Sequence, residues 1–491
     1  MASESRTTTV PTALPTAPPA SPAPSSPAPA PLSGRAKLIL VVLCAAQFMV
    51  ALDFSVLNVA LPVLGQDLGM SRTALQWAIT AFALPSGGFL LLFGRIGDLY
   101  GRRRLFVTGL ALFCAASVLA TVAWNPALFL AGRALQGLGA AMIVPTGMSL
   151  LTTTFPEGPQ RDRALGISGT LLSLGFTVGM VLGGVLTDTL GWRSTMGLLA
   201  VTALAVLAVA PGLLPESRTP DRPRLDVPGA VTVTGGLLAV IYALSTAAER
   251  GFGGADVLVT LVAGVALLAV FTLVESRSAA PLVSLPMLRR PTVAWGNLGG
   301  LATISMMTTV VFVLTLYLQE TLGLSALETG LVFGVQGVLS VFGGSMAPRV
   351  VGRLGAPRTL AVALLGQGVF TAALVALGAG PGSGSGAGTG VVLATVGVSL
   401  ASMCHLVAIV AYGLTATSGI ANDQQGLATG LVTTTQQIGM TIGIPLLGVL
   451  ATTREVLVDG VRLVLAIDAS IVVAAALLVT VGLRHRFART A

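Results

Sequence analysis

From Lys37 onward the chain alternates long apolar stretches with short polar breaks, and no other feature constrains its fold as strongly. A hydrocarbon layer about 30 Å thick needs about 20 apolar residues per spanning helix. Stretches of that length recur near residues 37–60, 74–93, 105–123, 127–150, 164–187, 195–214, 229–248, 256–274, 292–318, 328–347, 358–379, 389–414, 427–451 and 462–483. About fourteen spanning helices are therefore predicted. A soluble domain has roughly 25% charged residues, whereas these 491 residues are 9% charged and 54% hydrophobic. Its 60 glycines suit helices whose backbones pack closely. The predicted fold class is an all-α membrane protein.

The formal charge of +8 does not indicate a nucleic-acid partner, because the basic residues form no single stripe. They cluster between the apolar stretches. With the N-terminus inside, the inner side receives Arg35 and Lys37, Arg102 to Arg104, Arg161 and Arg163, Arg218 to Arg224, Arg277 to Arg290, Arg349 to Arg358, and Arg484 to Arg489. The outer side receives Arg72, Arg193, Arg250, Arg454 and Arg462. This bias predicts a multi-pass protein of the cell (inner or plasma) membrane with both termini cytoplasmic. Residues 1–34 are Pro, Ala, Ser and Thr with few large apolar groups, a composition that predicts a disordered cytoplasmic tail. Residues 484–491 form a second tail, and the glycine-rich 380–390 stretch reads as a flexible outer loop. Cys44, Cys114 and Cys404 lie in apolar stretches without paired spacing, as buried free thiols do.

An internal repeat runs through the chain. Gly166, Gly179, Met180 and Gly183 recur as Gly426, Gly439, Met440 and Gly443, at a constant offset of 260. GRIGDLYGRRR (94–104) has a worn echo in PRVVGRLGAPR (348–358). Parallel repeats imply two six-helix halves. The expected division is 35–216, then two extra spans in 217–280, then 281–483.

Two charges stand inside apolar spans, where each costs at least about 2.5–3.5 kcal/mol and marks function. Asp53 lies about eight residues, roughly 12 Å, from the outer end of the first span. Arg133 lies about six residues, roughly 9 Å, from the same surface on the fourth. They share a depth, which makes them the expected proton-coupling pair, Asp53 carrying the proton and Arg133 tuning it. Asp468 in the last span is a weaker candidate; Asp188 and Glu320 read as interfacial. His405, alone in its span, reads as a hydrogen-bonded structural residue. Gln76, Trp77, Phe82, Met306, Met307, Gln336, Gln436 and Gln437 are candidates for an adaptable substrate cavity, each weighed against ordinary packing.

In GRIGDLYGRRR, Gly94, Gly97 and Gly101 permit a tight turn, and Asp98 suits a neighbouring helix N-terminus. Arg102, Arg103 and Arg104 offer partners for acids or lipid headgroups. Together they read as a cytoplasmic latch, or, in the simpler reading, as a topology signal. Gly175, Gly179 and Gly183 fall at i, i+4 and i+8, one face for close packing, with Gly184 beside them. No Walker loop, paired His/Cys set or nucleophile with a base appears, so no cofactor or metal is expected, and neither catalysis nor ATP-driven pumping is indicated.

GRIGDLYGRRR resembles the signature loop of the major facilitator superfamily. LDFSVLNVALP (52–62), AGRALQGLGAA (131–141) and the glycine run on the fifth span resemble further motifs of its drug:proton antiporters. Met180 stands where their fifth-span pattern usually has Pro. RLDVPGA (224–230) and YLQETLGLSALETG (317–330) resemble the fourteen-helix branch. The resemblance implies two rocking six-helix bundles plus two central helices, and export of drugs, antibiotics or related amphipathic natural products in exchange for protons. A proton-coupled importer of a small polar metabolite is the alternative on the same fold. The chain is expected to work as a monomer.

Overall fold

A computed structural model describes residues 33–155, 159–216, 226–250, 253–278, 285–378, 387–420, 425–452, 454 and 456–484. Most of the predicted N-terminal tail, all but Arg484 of the C-terminal one, the Arg218–Arg224 cluster and most of the 380–390 loop lie outside these residues. The described part is helical: α1 (Gly34–Leu68), α2 (Arg72–Gly88), α3 (Leu90–Tyr100), α4 (Arg102–Thr121), α5 (Pro126–Thr154), α6 (Pro159–Leu190), α7 (Arg193–Leu213), α8 (Val227–Arg250), α9 (Ala255–Arg277), short α10 (Leu285–Leu288), α11 (Pro291–Leu316), α12 (Ala326–Leu354), α13 (Ala356–Ala373), α14 (Ala387–Thr417), α15 (Gln425–Leu447) and α16 (Leu457–Gly482).

Local chemistry sets the boundaries. Ser71 and Asn125 cap α2 and α5, each side chain accepting a backbone N–H, at 3.2 and 2.9 Å. Ser325 and Glu328 form a reciprocal capping box on α12. Asp226 accepts the Gly229 N–H at 2.8 Å at the start of α8. The second predicted span is broken: α2 and α3 meet at 46°. Pro85 removes a backbone donor just upstream, and Gly87 and Gly88 weaken the helix after it.

Helices occupy all fourteen predicted positions among the described residues, but the span count is lower by apolarity. Twelve are long and apolar enough to cross a membrane, and the bent α2–α3 pair makes thirteen. The remaining one, α15, carries Thr433, Thr434, Thr435, Gln436 and Gln437 in mid-helix. A helix walled by protein tolerates that polarity, whereas one facing lipid does not.

Packing follows the repeat. In the first half α1 packs on α6, α4 on α5 and α7, and α2 on α5. In the second α11 packs on α15, α13 on α14 and α16, and α12 on α14. A Cβ at Gly183 would meet Val56 O of α1, and one at Gly443 would meet Ser305 O of α11, so the 260-residue offset recurs as one helix contact made twice. The halves meet along α6–α12 and α2–α15; α8 lies against α2 and α15 and carries α9 on its far side. Leu258, Val259, Val262, Val265 and Leu273 leave the outer flank of α9 apolar and exposed, as a lipid-facing helix requires.

Candidate functional site

The capped start of α5 places Arg133 two turns inside the helix, facing Asp53 of α1. Arg133 Nη1 donates to Asp53 Oδ1 at 2.6 Å and to Gln136 Oε1 at 2.9 Å. Its Nε donates to Ala78 O of α2 at 3.0 Å, and the guanidinium lies 4.6 Å from the Phe82 ring centroid. Gln136 Nε2 in turn donates to Ser117 Oγ of α4 at 2.8 Å. One cation thus ties four helices together. The Asp53 and Arg133 side chains are 0% and 1% exposed, and Asp53 Oδ2 has no hydrogen-bond partner. Both charges are tolerable there because they are paired; removing one partner of such a pair costs about 3–5 kcal/mol.

A cavity of about 360 Å³ lies between the halves, walled by α1, α2, α5 and α6 on one side and α11, α12, α14 and α15 on the other. That volume suits a small ligand. Of the candidate residues, Met307, Gln336 and Gln436 line it. Gln76, Trp77, Phe82, Met306 and Gln437 do not. Trp77 turns toward Tyr242 of α8, with ring centroids 5.9 Å apart. Phe82 is buried between Arg133 and Phe54, its ring 4.9 Å from the latter in an edge-on contact. Met306 and Gln437 are buried in the packing. The wall includes polar residues outside the expected set: Gln47, Asn58, Ser340, Ser402 and His405. Gln47 and Asn58 are eleven residues apart on α1, hence on one face, a signal the sequence contained. Asp468 is fully buried on α16 with both oxygens unpartnered; it joins neither the ion pair nor the cavity wall.

Among the described residues, Asp98 of the 94–104 loop caps no neighbouring helix. Its Oδ1 accepts from Arg102 Nε at 2.9 Å and Nη2 at 2.8 Å. Gly101, at φ 116°, joins α3 to α4, and a Cβ there would lie 2.6 Å from Glu216 Oε1. Arg103 donates to Pro211 O and Arg104 lies 3.6 Å from Glu216, so the loop is tied to the end of α7. A Cβ at Gly94 would touch Pro145 of α5.

The fifth-span glycines divide between two interfaces. Cβ atoms at Gly175, Gly179 and Gly183 would meet Ala51, Ser55 and Val56 of α1. One at Gly184 would meet Ala326 O of α12, across the seam between halves. Asp188 adds to that seam, accepting the Leu327 N–H at 3.1 Å. Gln319 donates to Val59 O at 2.8 Å at the same end of the molecule. The cavity lies below these contacts, toward the end bearing the 94–104 loop.

This arrangement defines a membrane transporter whose cavity lies between two pseudo-repeated halves. Residues 43–444 match the Major Facilitator Superfamily, and the chain belongs to that family. It is 38% identical over 419 residues to the cephamycin export protein of Amycolatopsis lactamdurans, covering 83% of each chain. It is also 38% identical over 418 residues to the puromycin resistance protein of Streptomyces alboniger, covering 84% of this chain and 81% of that one. Among solved structures it resembles a peptide transporter, POT, in complex with sulfate, with a TM-score of 0.68 at 15% identity over 92% of this chain and 95% of that one. At that identity the likeness concerns the fold alone.

Proposed function

We propose that the protein exports an antibiotic or a related amphipathic natural product in exchange for protons. The observation that carries the proposal is a sealed acid–base pair one aromatic layer from an apolar cavity. Phe54 lines the cavity, its ring touches Phe82, and Phe82 carries the Arg133 guanidinium. Displacement of Phe54 by a substrate is therefore felt at the ion pair without contact between substrate and acid. A proton arriving at Asp53 Oδ2 neutralises the carboxylate, releases Arg133 from its counter-ion and removes the charge attraction that draws α1 to α5. Cephamycin export and puromycin resistance in the relatives support this direction of transport. In this reading both termini and the 94–104 loop face the cytoplasm of a plasma-membrane monomer, and 35–216 and 281–483 move as bodies flanking 217–280.

Expression in an efflux-deficient bacterium tests the direction. Cells should accumulate less of at least one antibiotic from a panel that includes cephamycin and puromycin, and should tolerate several-fold more of it. Raised accumulation would instead favour the importer, and no change across a broad panel would remove the export reading. In everted vesicles the exported compound should trigger proton release from the lumen.

The 94–104 loop is proposed to act as a latch. Asp98→Asn loses the charge on the acceptor of two Arg102 bonds; charge-assisted bonds contribute about 1.5–3 kcal/mol. Transport should fall about tenfold or more with the protein inserted at normal abundance, measured by initial uptake rate in vesicles against an immunoblot. An unchanged rate would reduce the loop to a topology signal.

A further inference from the structure

The cavity wall fixes the protonation form of one of its residues. Gln367 of α13 donates from Nε2 to Thr303 O at 3.1 Å. Only an N–H can face a carbonyl oxygen, so the amide orientation is determined, and Gln367 Oε1 is the atom against Thr303 Oγ1. The amide oxygen has no proton to give, hence the Thr303 hydroxyl donates to it. That uses the hydroxyl's single proton. His405 Nδ1, 2.9 Å from the same Oγ1, must then be the donor in its own bond. A neutral imidazole with its proton on Nδ1 has a bare lone pair on Nε2. Among the described residues, the hydrogen bonds His405 makes are to Thr303, to its hydroxyl and its backbone, and the ring lines the cavity.

Neighbouring groups have the same polarity. Ser340 donates to Gln336 O at 2.9 Å, so in its 2.5 Å contact with Ser402 it is the acceptor. Ser402 has then used its proton, and Gln336 must donate to it from Nε2, which leaves Gln336 Oε1 without a partner. Asn58 Nδ2 donates to Phe54 O at 2.6 Å, and its Oδ1 is likewise unpartnered. Among the described residues the cavity lining contains no Asp, Glu, Lys or Arg. A wall with unmet acceptors in an apolar setting selects a ligand that brings N–H or O–H donors, because a buried acceptor left unmet costs about 1–3 kcal/mol.

We propose that His405, held with its proton on Nδ1 by Thr303 and Gln367, is a specificity residue of this cavity, accepting through Nε2 a hydrogen bond from an N–H or O–H of the exported molecule. The assignment rests on the export reading for the identity of the ligand, but not for the state of the ring. The chain has 2 histidines, so ¹⁵N-histidine labelling of the full chain in lipid nanodiscs, with His485→Gln, leaves a single imidazole to observe. The ligand-free protein should show a protonated Nδ1 and a bare Nε2; protonation at Nε2 overturns the proposal whatever the protein exports. Thr303→Val should release the ring toward the other tautomer. Saturating puromycin, which carries amine and hydroxyl donors, should shift the Nε2 resonance, and an unmoved resonance overturns the ligand contact. In vesicles, His405→Phe should raise the KM for puromycin about tenfold with kcat and proton release retained. Equal loss of kcat would assign the residue to structure. A protein that fails to export puromycin yet shows the expected tautomer would separate failure of the export reading from failure of this one.

Discussion

Asp53→Asn is expected to abolish uphill export driven by a proton gradient while leaving exchange of substrate across the membrane measurable. Inward movement of a proton is worth about 2.3 kcal/mol per 100 mV of membrane potential, plus the pH contribution. That energy reaches the substrate only if an acid takes up and releases the proton during the cycle. Asn has the carboxylate's shape and accepts a bond from Arg133, but it carries no titrating proton. The substitution leaves Arg133 buried without a counter-ion, so a loss of protein would mimic a loss of coupling; abundance must be measured beside rate. The double variant Asp53→Asn, Arg133→Gln removes both charges and should recover abundance without recovering gradient-driven transport. Asp53→Glu should retain part of the activity. Arg133→Lys should be impaired although the charge remains, because one guanidinium serves Asp53, Gln136 and Ala78 O at once, and a single ammonium on a flexible stem does not reproduce that fork. Gradient-driven export by Asp53→Asn at the wild-type rate would sink the assignment and direct attention to Asp468.

What could be read before the structure was known follows from the energetic size of each signal. A charge in an apolar span is expensive, so Asp53 and Arg133 stand out, and counting residues from the span ends places them at one depth. Gln136 and Ser117 complete the same network but are cheap to bury in pairs, and nothing in the sequence marks them. Helix positions were legible because apolar length is a strong requirement. Whether α15 crosses by its own apolarity was not, since its Thr and Gln residues are sheltered by neighbours that only the fold supplies. The cavity candidates were chosen by residue type, and type does not state direction. Phe82 and Trp77 are the aromatic residues expected of an adaptable pocket, yet one supports a guanidinium and the other packs on α8. Among the described residues Asp98 has its partner four residues along the chain, where Gly101 brings Arg102 back to it, and not on a neighbouring helix. His405 read as structural because its determining partners, Thr303 and Gln367, come from α11 and α13.

The adjacent glycines 183 and 184 separate two meanings of a small residue in a membrane helix. A Cβ on Gly183 would lie 2.8 Å from Val56 O of α1, inside one half, whereas one on Gly184 would lie 2.6 Å from Ala326 O of α12, in the other. Gly330, facing back from α12, would place its Cβ 2.7 Å from Met180 O. These neighbours are backbone atoms and cannot rotate aside, and overpacking of this kind costs about 1–3 kcal/mol. The cost falls on different equilibria. At Gly183 it opposes folding of the first half in every conformation, so Gly183→Val should reduce the amount of inserted protein. At Gly184 it is incurred only while the α6–α12 seam is closed, so Gly184→Val should insert normally and shift the population toward conformations open at the Asp188 end. A 1–3 kcal/mol penalty on one state changes its ratio to the other about five- to 150-fold, enough to lower turnover by about tenfold if closure of that seam is a step of the cycle. A cysteine at Thr177, which packs against Gly337 on the same seam, reports the shift once Cys44, Cys114 and Cys404 have been replaced. Its labelling by an impermeant thiol reagent from the Asp188 side should accelerate in Gly184→Val and not in Gly443→Val, whose crowding against Ser305 O stays within the second half. Equal labelling in the two variants, with transport intact in Gly184→Val, would mean that α6 and α12 do not part during transport and that the halves move about some other contact.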